Sequence, residues 1–377
     1  MSNWKTYKLG DLVTFQRGHD LTKSQMQEGS FPVAGSNGVI GFHNEYTTKA
    51  PSITIGRSGN IGNAYFFDKD FWAHNTTLYI KEFKNCDPKF IYYLLQTINF
   101  GGHNSGSAVP SLNRNYIHPI EIQAPDLATQ VEIAKILSSL DDKIELLQQM
   151  NQTLENIAQA IFKEWFVDFN FPGFDGELVD GLPKGWRMGS ILDIATLLSG
   201  GTPKTDIEEY WNGSINWISA KDITNSNNQF IVETEKTITE LGIKKSAAKL
   251  LPKFTTIISA RGTVGNYCIL SKEMAISQSN YGLKSNSNYN YFLFLMVENM
   301  ILMMKAFSYG TVFDTITTKT FQEMEVIIPE EKAIKKFENL VIPFYEKILT
   351  NQLQIQSLTQ TRDTLLPKLM SGNLEIN

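Results

Sequence analysis

Apolar residues fall on a strict four-three spacing along one long stretch: Ile133, Leu137, Leu140, Ile144, Leu147, Leu154, Ala158 and Ile161, with Asn151 as the polar member of the series. Gln, Glu and Lys fill the outer positions, so the spacing predicts a helix bearing a coiled-coil seam. The seam returns 204 residues later as Phe337, Val341, Phe344, Ile348, Asn351, Ile355, Leu358, Arg362 and Leu365. Arg362 and Pro343 depart from an ideal seam. Pro343 is expected to kink its helix or break its first turns, because it removes a backbone donor and crowds the preceding turn. A seam-bearing helix cannot bury its stripe alone, so two in one chain bury theirs most economically against each other. Spacing leaves their relative sense open. An antiparallel pair would place the regions preceding each helix at opposite ends of a rod roughly 60 Å long, at about 1.5 Å rise per residue.

Each helix is preceded by a mixed region rich in Gly, Asn, Ser, Thr and aromatic residues. Short β-branched runs at 52–55, 77–80 and 255–259, bounded by Gly, Pro or Asn, predict strands, and 90–98 and 291–304 predict helices. These regions repeat one another. Trp4, Leu9, Asp11 and Leu12 recur as Trp186, Leu192, Asp193 and Ile194, with 182 positions from Trp to Trp. Farther on, Arg57, Gly106, Pro125, Lys143, Ile144 and Leu154 correspond to Arg261, Gly310, Pro329, Lys347, Ile348 and Leu358, all at 204. An insertion of 22 residues therefore lies in the second copy, before Arg261, within the stretch that includes EEYWNGSINWISAKDI. The expected fold class is α+β: two pseudo-repeated mixed α/β domains separated by a pair of long antiparallel coiled-coil helices. The expected boundaries are a domain at 1–125, a helix at 126–168, a turn-rich linker at 169–183, a domain at 184–329, and a helix with tail at 330–371.

Composition narrows the class. With 377 residues, 42 % apolar and 19 % charged, the chain has the profile of a globular protein of two domains. No run approaches the roughly 18 apolar residues of a membrane span, and the opening residues lack a signal-peptide core, so no membrane association and a cytoplasmic location are expected. Cys86 and Cys268 have neither zinc-site nor redox spacing. A net charge of −5 argues against a protein that coats nucleic acid non-specifically. The charge is uneven: residues 126–170 carry eight Asp and Glu against three Lys and Arg, while residues 1–125 carry eleven Lys and Arg against nine acids.

Candidate contact residues sit in repeated loops. The Gly-rich turns, with Arg57, Ser58 and Asn60 in one copy and Arg261, Thr263 and Asn266 in the other, lack the GxGxxG and Walker patterns of a nucleotide enzyme. A tight turn between strands explains the glycines. It does not explain an arginine in both turns, where a planar guanidinium can reach phosphate or the O6/N7 edge of guanine. His74, Asn75 and Thr76, and Gln278, Ser279 and Asn280, offer amides and hydroxyls suited to base edges or to strand-end hydrogen bonding. Ser107, Ser111, Asn113 and Arg114 form another polar loop, paired with Tyr309, Thr311, Thr315 and Lys319. Arg17 and Lys23, with Thr202 and Lys204, form a third pair, and solvated loop residues are the competing reading for each. No catalytic constellation stands out. All five histidines lie in the first copy, so two copies doing the same work cannot be doing it by histidine chemistry.

The helix phrase Gln130-x-x-Ile133-Ala134-x-Ile136-Leu137-Ser138 with Leu140-Asp141, the phrase Phe166-Val167-Asp168-Phe169, and the tail 365–372 (LLPKLMSG) together resemble the DNA-specificity subunit of type I restriction-modification systems over essentially the whole chain. The resemblance implies that the mixed regions are target-recognition domains. Each would read one half of an asymmetric bipartite site in double-stranded DNA, with the helix pair fixing the gap. It also implies no active site and no cofactor in this chain. Two methyltransferase subunits, which bind S-adenosylmethionine, and translocase-nuclease subunits using ATP and Mg would be recruited as partners. The acidic excess at 126–170 suits a protein partner better than DNA. Two other classes are a coiled-coil scaffold for proteins and a nucleotide-binding enzyme using the Gly-rich turns.

Overall fold

The computed structural model describes residues 4–103, 111–226, 229–307 and 315–374. It divides into two compact units, residues 1–145 with 357–377 and residues 146–356. The first unit begins with β1 (Lys5–Lys8), α1 (Leu9–Leu12), β2 (Val13–Arg17), β3 (Phe31–Gly35), β4 (Gly38–His43), β5 (Ser52–Gly56) and β6 (Ala64–Phe67). It continues with β7 (Trp72–Ala73), β8 (Thr77–Phe83), α2 (Pro88–Thr97), α3 (Arg114–Ile117), β9 (Glu121–Ala124) and the start of the long α4 (Leu127–Phe166). Strands β2-β8-β5-β6 form an antiparallel sheet, β4-β3-β7 a smaller one, and β1 closes the domain on β9. Asp87 caps α2 by accepting from the Phe90 amide, and α2 then buries Phe90, Ile91, Leu94 and Leu95.

A small hairpin, β10 (Leu178–Val179) and β11 (Leu182–Pro183), lies in the connection. The second unit then repeats the plan with β12 (Arg187–Ser190), β13 (Ala195–Ser199), β14 (Trp211–Ile218), α5 (Ala220–Asn225), β15 (Phe230–Ile231), β16 (Lys236–Ile238), α6 (Glu240–Lys244) and β17 (Leu250–Leu251). After these come β18 (Thr256–Ser259), β19 (Tyr267–Leu270), β20 (Met274–Ile276), β21 (Asn280–Ser285), α7 (Asn290–Phe307), α8 (Thr318–Glu323), β22 (Glu325–Ile328) and α9 (Glu331–Met370). Strand β14 runs parallel to β20, pairing Trp217 with Ala275, as β3 runs parallel to β7, pairing Val33 with Trp72. The segment EEYWNGSINWI is thus the counterpart of β3, and the insertion follows it. A tight turn joins β3 to β4, whereas residues 219–235, with α5 and β15, separate β14 from its partner β16. β15 adds an edge strand, so the main sheet of the second unit has five strands, β13-β21-β18-β19-β15.

Strand pairing also corrects the register of the repeat. Gly56 pairs with Thr77 in the first unit and Ser259 with Asn280 in the second, a shift of 203 positions. The left-handed glycines agree: Gly59 and Gly62 correspond to Gly262 and Gly265. Only from α3 and β9 onward does 204 hold, as Ala124 and Ile328 show opposite Lys5 and Arg187.

The helix seams pair antiparallel within each unit. In the first, Arg362 Nη1 donates to Asp141 Oδ1 at 2.8 Å, while Ile133 and Leu137 share a core with Leu369 and Met370. Tyr93 Oη donates to the other oxygen of Asp141 at 2.6 Å, so the Arg362 departure from the seam is a polar link with two donors on one carboxylate. In the second unit, Asn351 Nδ2 donates to Asn151 Oδ1 at 2.8 Å, and the Phe162 ring meets Phe337 at 5.8 Å. Pro343 does not break its helix: α9 is continuous from Glu331 to Met370, and the proline and Asn339, the residue whose carbonyl it leaves without a donor, are both exposed. Tyr345, and not the seam residue Phe344, is fully buried, because α9 turns a second face to the domain and Tyr345 stacks on Tyr291 at 4.4 Å. On that face Glu338 accepts from the amides of Tyr291 and Phe292, partners that the first turn of α7 otherwise lacks.

Both helix tails end on a tryptophan. Trp186 stacks on Phe171 at 4.9 Å and meets Phe166 in the second unit, and Gly372 lies against the Trp4 indole in the first. Among the described residues, no helix is long and apolar enough to cross a membrane.

Candidate nucleic-acid interface

The Gly-rich turns are β-hairpin loops. Gly59 and Gly62 adopt φ of +80° and +82° between β5 and β6, and Gly262 and Gly265 do the same between β18 and β19. No helix opens at either turn, so neither has the amide-lined N-terminus that cradles a nucleotide phosphate. What the first turn does is present Arg57. Its amide donates to Thr76 O at 2.8 Å, and its carbonyl accepts from the Leu112 amide at 2.8 Å. These bonds draw three separate loops together at one residue.

A close approach supplies a further wall. Gly18 follows β2, and a Cβ there would lie 2.1 Å from the His74 carbonyl oxygen, so only glycine lets the chain pass. On either side of it stand Arg17 and His19. The result is an open cleft of about 650 Å³ lined by Gln16, Arg17, His19, Asp20, Arg57, Asn113 and Arg114, among others. Three arginines and one aspartate thus line one space. Arg17 Nη2 donates to Asp20 Oδ1 at 3.2 Å, and Asn75 Nδ2 donates to the same oxygen. Asn113 caps α3 by accepting from the Asn115 amide, which fixes Arg114 as the first helical residue. Among the described residues Arg57 and Arg114 have no carboxylate partner.

The second domain keeps the walls and changes the lining. Gly200 sits where Gly18 does, a Cβ there lying 2.1 Å from Ser277 O. Ala260 takes the place of Arg57, its amide donating to Ser279 O and its carbonyl accepting from Ile316 N. Arg261 is therefore not the counterpart of Arg57. It occupies the position of Ser58, one residue along, exposed on the loop. Likewise Arg17 corresponds to Ser199, Asp20 to Thr202 and Arg114 to Thr318, so the positions equivalent to the three arginines carry none.

Other candidates disperse. His74 is engaged internally, Nδ1 with Thr76 Oγ1 at 2.9 Å and Nε2 with Leu21 O at 3.1 Å. Asn280 is buried, with Nδ2 donating to Ile218 O and Ser277 Oγ, so it is a strand-end structural residue and not a reader. Asn266 and Thr263 both bond Thr224 at the end of α5. Ser58 forms an isolated bridge with Ser111. Lys319 pairs with Glu323 at 3.2 Å along α8. Lys23, Asn60, Lys204 and Gln278 are exposed and outside the cleft, Thr202 is half-buried, and Ser107, Tyr309 and Thr311 lie outside the described residues. Gln16, His19 and Asp20 line the cleft without having been singled out. Their signal was the glycine at 18, whose near neighbours only the fold reveals.

Two domains of one plan, each bringing the same loops together and each followed by a seam-bearing helix, define a duplicated recognition module. The type I restriction modification DNA specificity domain matches residues 1–156 and again 183–358, and the chain belongs to this family. It is 28 % identical to the specificity subunit of the type I restriction enzyme HindI of Haemophilus influenzae, covering 76 % of this chain and 77 % of the relative. It is 29 % identical to the MjaIX specificity subunit of Methanocaldococcus jannaschii, covering 78 % and 72 % respectively. The crystal structure of the type I restriction-modification S subunit from M. genitalium shares the fold, with a TM-score of 0.69 at 17 % identity over 100 % of this chain and 97 % of that one.

Proposed function

We propose that this chain is the non-catalytic specificity subunit of a type I restriction-modification complex, reading an asymmetric bipartite site in duplex DNA with one domain per half-site. The observation that carries the reading is the duplication of the specificity domain, with the residues lining the first domain's cleft replaced by unlike ones at the equivalent positions of the second. A shared fold supplies two reading heads, and different linings give them different sequences. Each well-read base pair discriminates by about 1–3 kcal/mol, so two short half-sites held at a fixed spacing add their energies. The helix pair sets that spacing in this reading, and its acidic stretch at 126–170 docks two methyltransferase subunits, away from DNA phosphates. S-adenosylmethionine, ATP and Mg belong to those subunits and to translocase-nuclease partners, in the cytoplasm. The test is selection of random duplex DNA by the chain in complex with its methyltransferase subunits, with sequencing of the bound fraction. Two fixed base clusters around an unspecified gap are expected; no enrichment would remove the reading, as would tight nucleotide binding by the chain alone.

A further inference from the structure

The three arginines of the first cleft come from three different segments: the end of β2, the β5–β6 turn and the first residue of α3. At the equivalent positions of the second domain stand Ser199, Ala260 and Thr318. The walls are the same in both domains, down to the glycine against a carbonyl oxygen, so packing does not demand the arginines. They are a difference in chemistry placed on a common frame.

What they face is decided by the fourth charge. A clamp for phosphate gains from each cation and loses from any carboxylate beside it. Asp20 is 76 % exposed within this cleft and bonded to Arg17, itself 54 % exposed. Such a carboxylate would repel a phosphodiester. Beside a base edge it does something else: it takes one Nη of Arg17, fixes the plane of the fork, and leaves the remaining donors for a two-point contact with guanine O6 and N7. The same oxygen also accepts from the Asn75 amide, so one residue orients two readers.

We infer that the Arg17–Arg57–Arg114 cleft reads guanine in the half-site of the first domain, and that Asp20 is a positioning residue holding Arg17 and Asn75 for that contact. The inference rests on the DNA-reading function proposed above. The second domain, with Ser199, Ala260 and Thr318 at the three positions, reads its half-site without this guanine contact.

Selection from random duplexes by the full chain with its methyltransferase subunits, using wild type, R17A, R17K, R57A, R114A, D20A and D20N, tests it. The arginine-to-alanine variants are expected to relax G·C pairs in one and the same half-site, each by about 5- to 150-fold in discrimination, with the other half-site unchanged. R17K keeps the charge and loses the fork, so it should relax the base while retaining total affinity. D20A should lower discrimination at the Arg17 position while raising non-specific binding, a pair of changes that a loss of folding does not produce. D20N, which keeps an acceptor oxygen, should restore part of the discrimination. The inference is overturned by weaker binding with an unaltered motif, a shallower salt slope and rescue by R17K, since that is a phosphate clamp. Loss of both half-sites or relaxation at A·T pairs overturns it equally. A wild-type complex that selects nothing instead removes the DNA-reading function itself.

Discussion

The paired asparagines in the seam offer a sharp test of what holds the second unit together. Asn351 is fully buried and Asn151 nearly so, and one hydrogen bond of 2.8 Å joins them. The Oδ1 of Asn351 has no partner. Replacing Asn151 alone by leucine leaves the Asn351 amide buried without its acceptor, and should destabilise by about 1–3 kcal/mol. Replacing both removes the orphaned Asn351 oxygen together with the two amides and extends the apolar seam of Leu147, Leu154, Ile348 and Ile355. The double variant N151L/N351L should therefore be more stable than wild type by about 1–3 kcal/mol, the unpaired oxygen accounting for most of it. Urea unfolding followed by helical circular dichroism, run as a double-mutant cycle, measures both values and their coupling. Buried asparagines commonly fix register in coiled coils, but here aromatic packing at Phe162–Phe337 and Tyr345–Tyr291 holds the same register. The gap between half-sites should therefore not change in the double variant. A double variant no more stable than N151L, or one with a second gap length, would refute this account of the seam.

Gly18→Ala drives a Cβ against the His74 carbonyl and should destabilise by about 1–3 kcal/mol in thermal unfolding while relaxing the first half-site; an unchanged melting temperature would count against a close approach at this glycine. Glu298 lies buried, accepting from Tyr267 Oη at 2.6 Å and Gln159 Nε2 at 2.9 Å; burial raises its carboxyl above the ordinary range, and neighbouring Glu155 adds to the rise. The folded chain therefore binds that proton more tightly than the unfolded chain, so stability falls as pH climbs from the usual carboxylate value through the raised one. Glu298→Gln should be the more stable protein above that window and lose its advantage below it, and a constant difference across pH would contradict the assignment. Inserting four residues into both α4 and α9 adds about 6 Å of helix, and should lengthen the unspecified gap by about one to two base pairs without altering the bases selected. An unchanged gap would count against the helix pair as the spacer.

Much of this fold was written in local periodicity. The four-three seam, its return after 204 residues and the phrases around it identify two helices of 40 residues each and the family to which the chain belongs. Arg362 and Tyr345 were harder to read. Whether a seam position meets apolar side chains, a carboxylate or a neighbouring domain depends on which faces are covered, and spacing carries no record of that.

The site was legible residue by residue but not as an assembly. Arg17, Arg57 and Arg114 were visible as polar loop residues, and nothing in the string joins them, because the bonds that do run through the backbone at Thr76, Arg57 and Leu112. The pairing of Arg57 with Arg261 failed for a related reason. A repeat offset averaged over a long stretch conceals a shift of one residue, and in extended chain one residue reverses the side on which a group projects. Sequence determined the duplication, the helices and the kind of protein, since these rest on short-range periodicity. Tertiary structure alone decided which side chains share a cleft and that its arginines have no counterparts in the second domain, since those depend on close approaches between segments far apart in the chain.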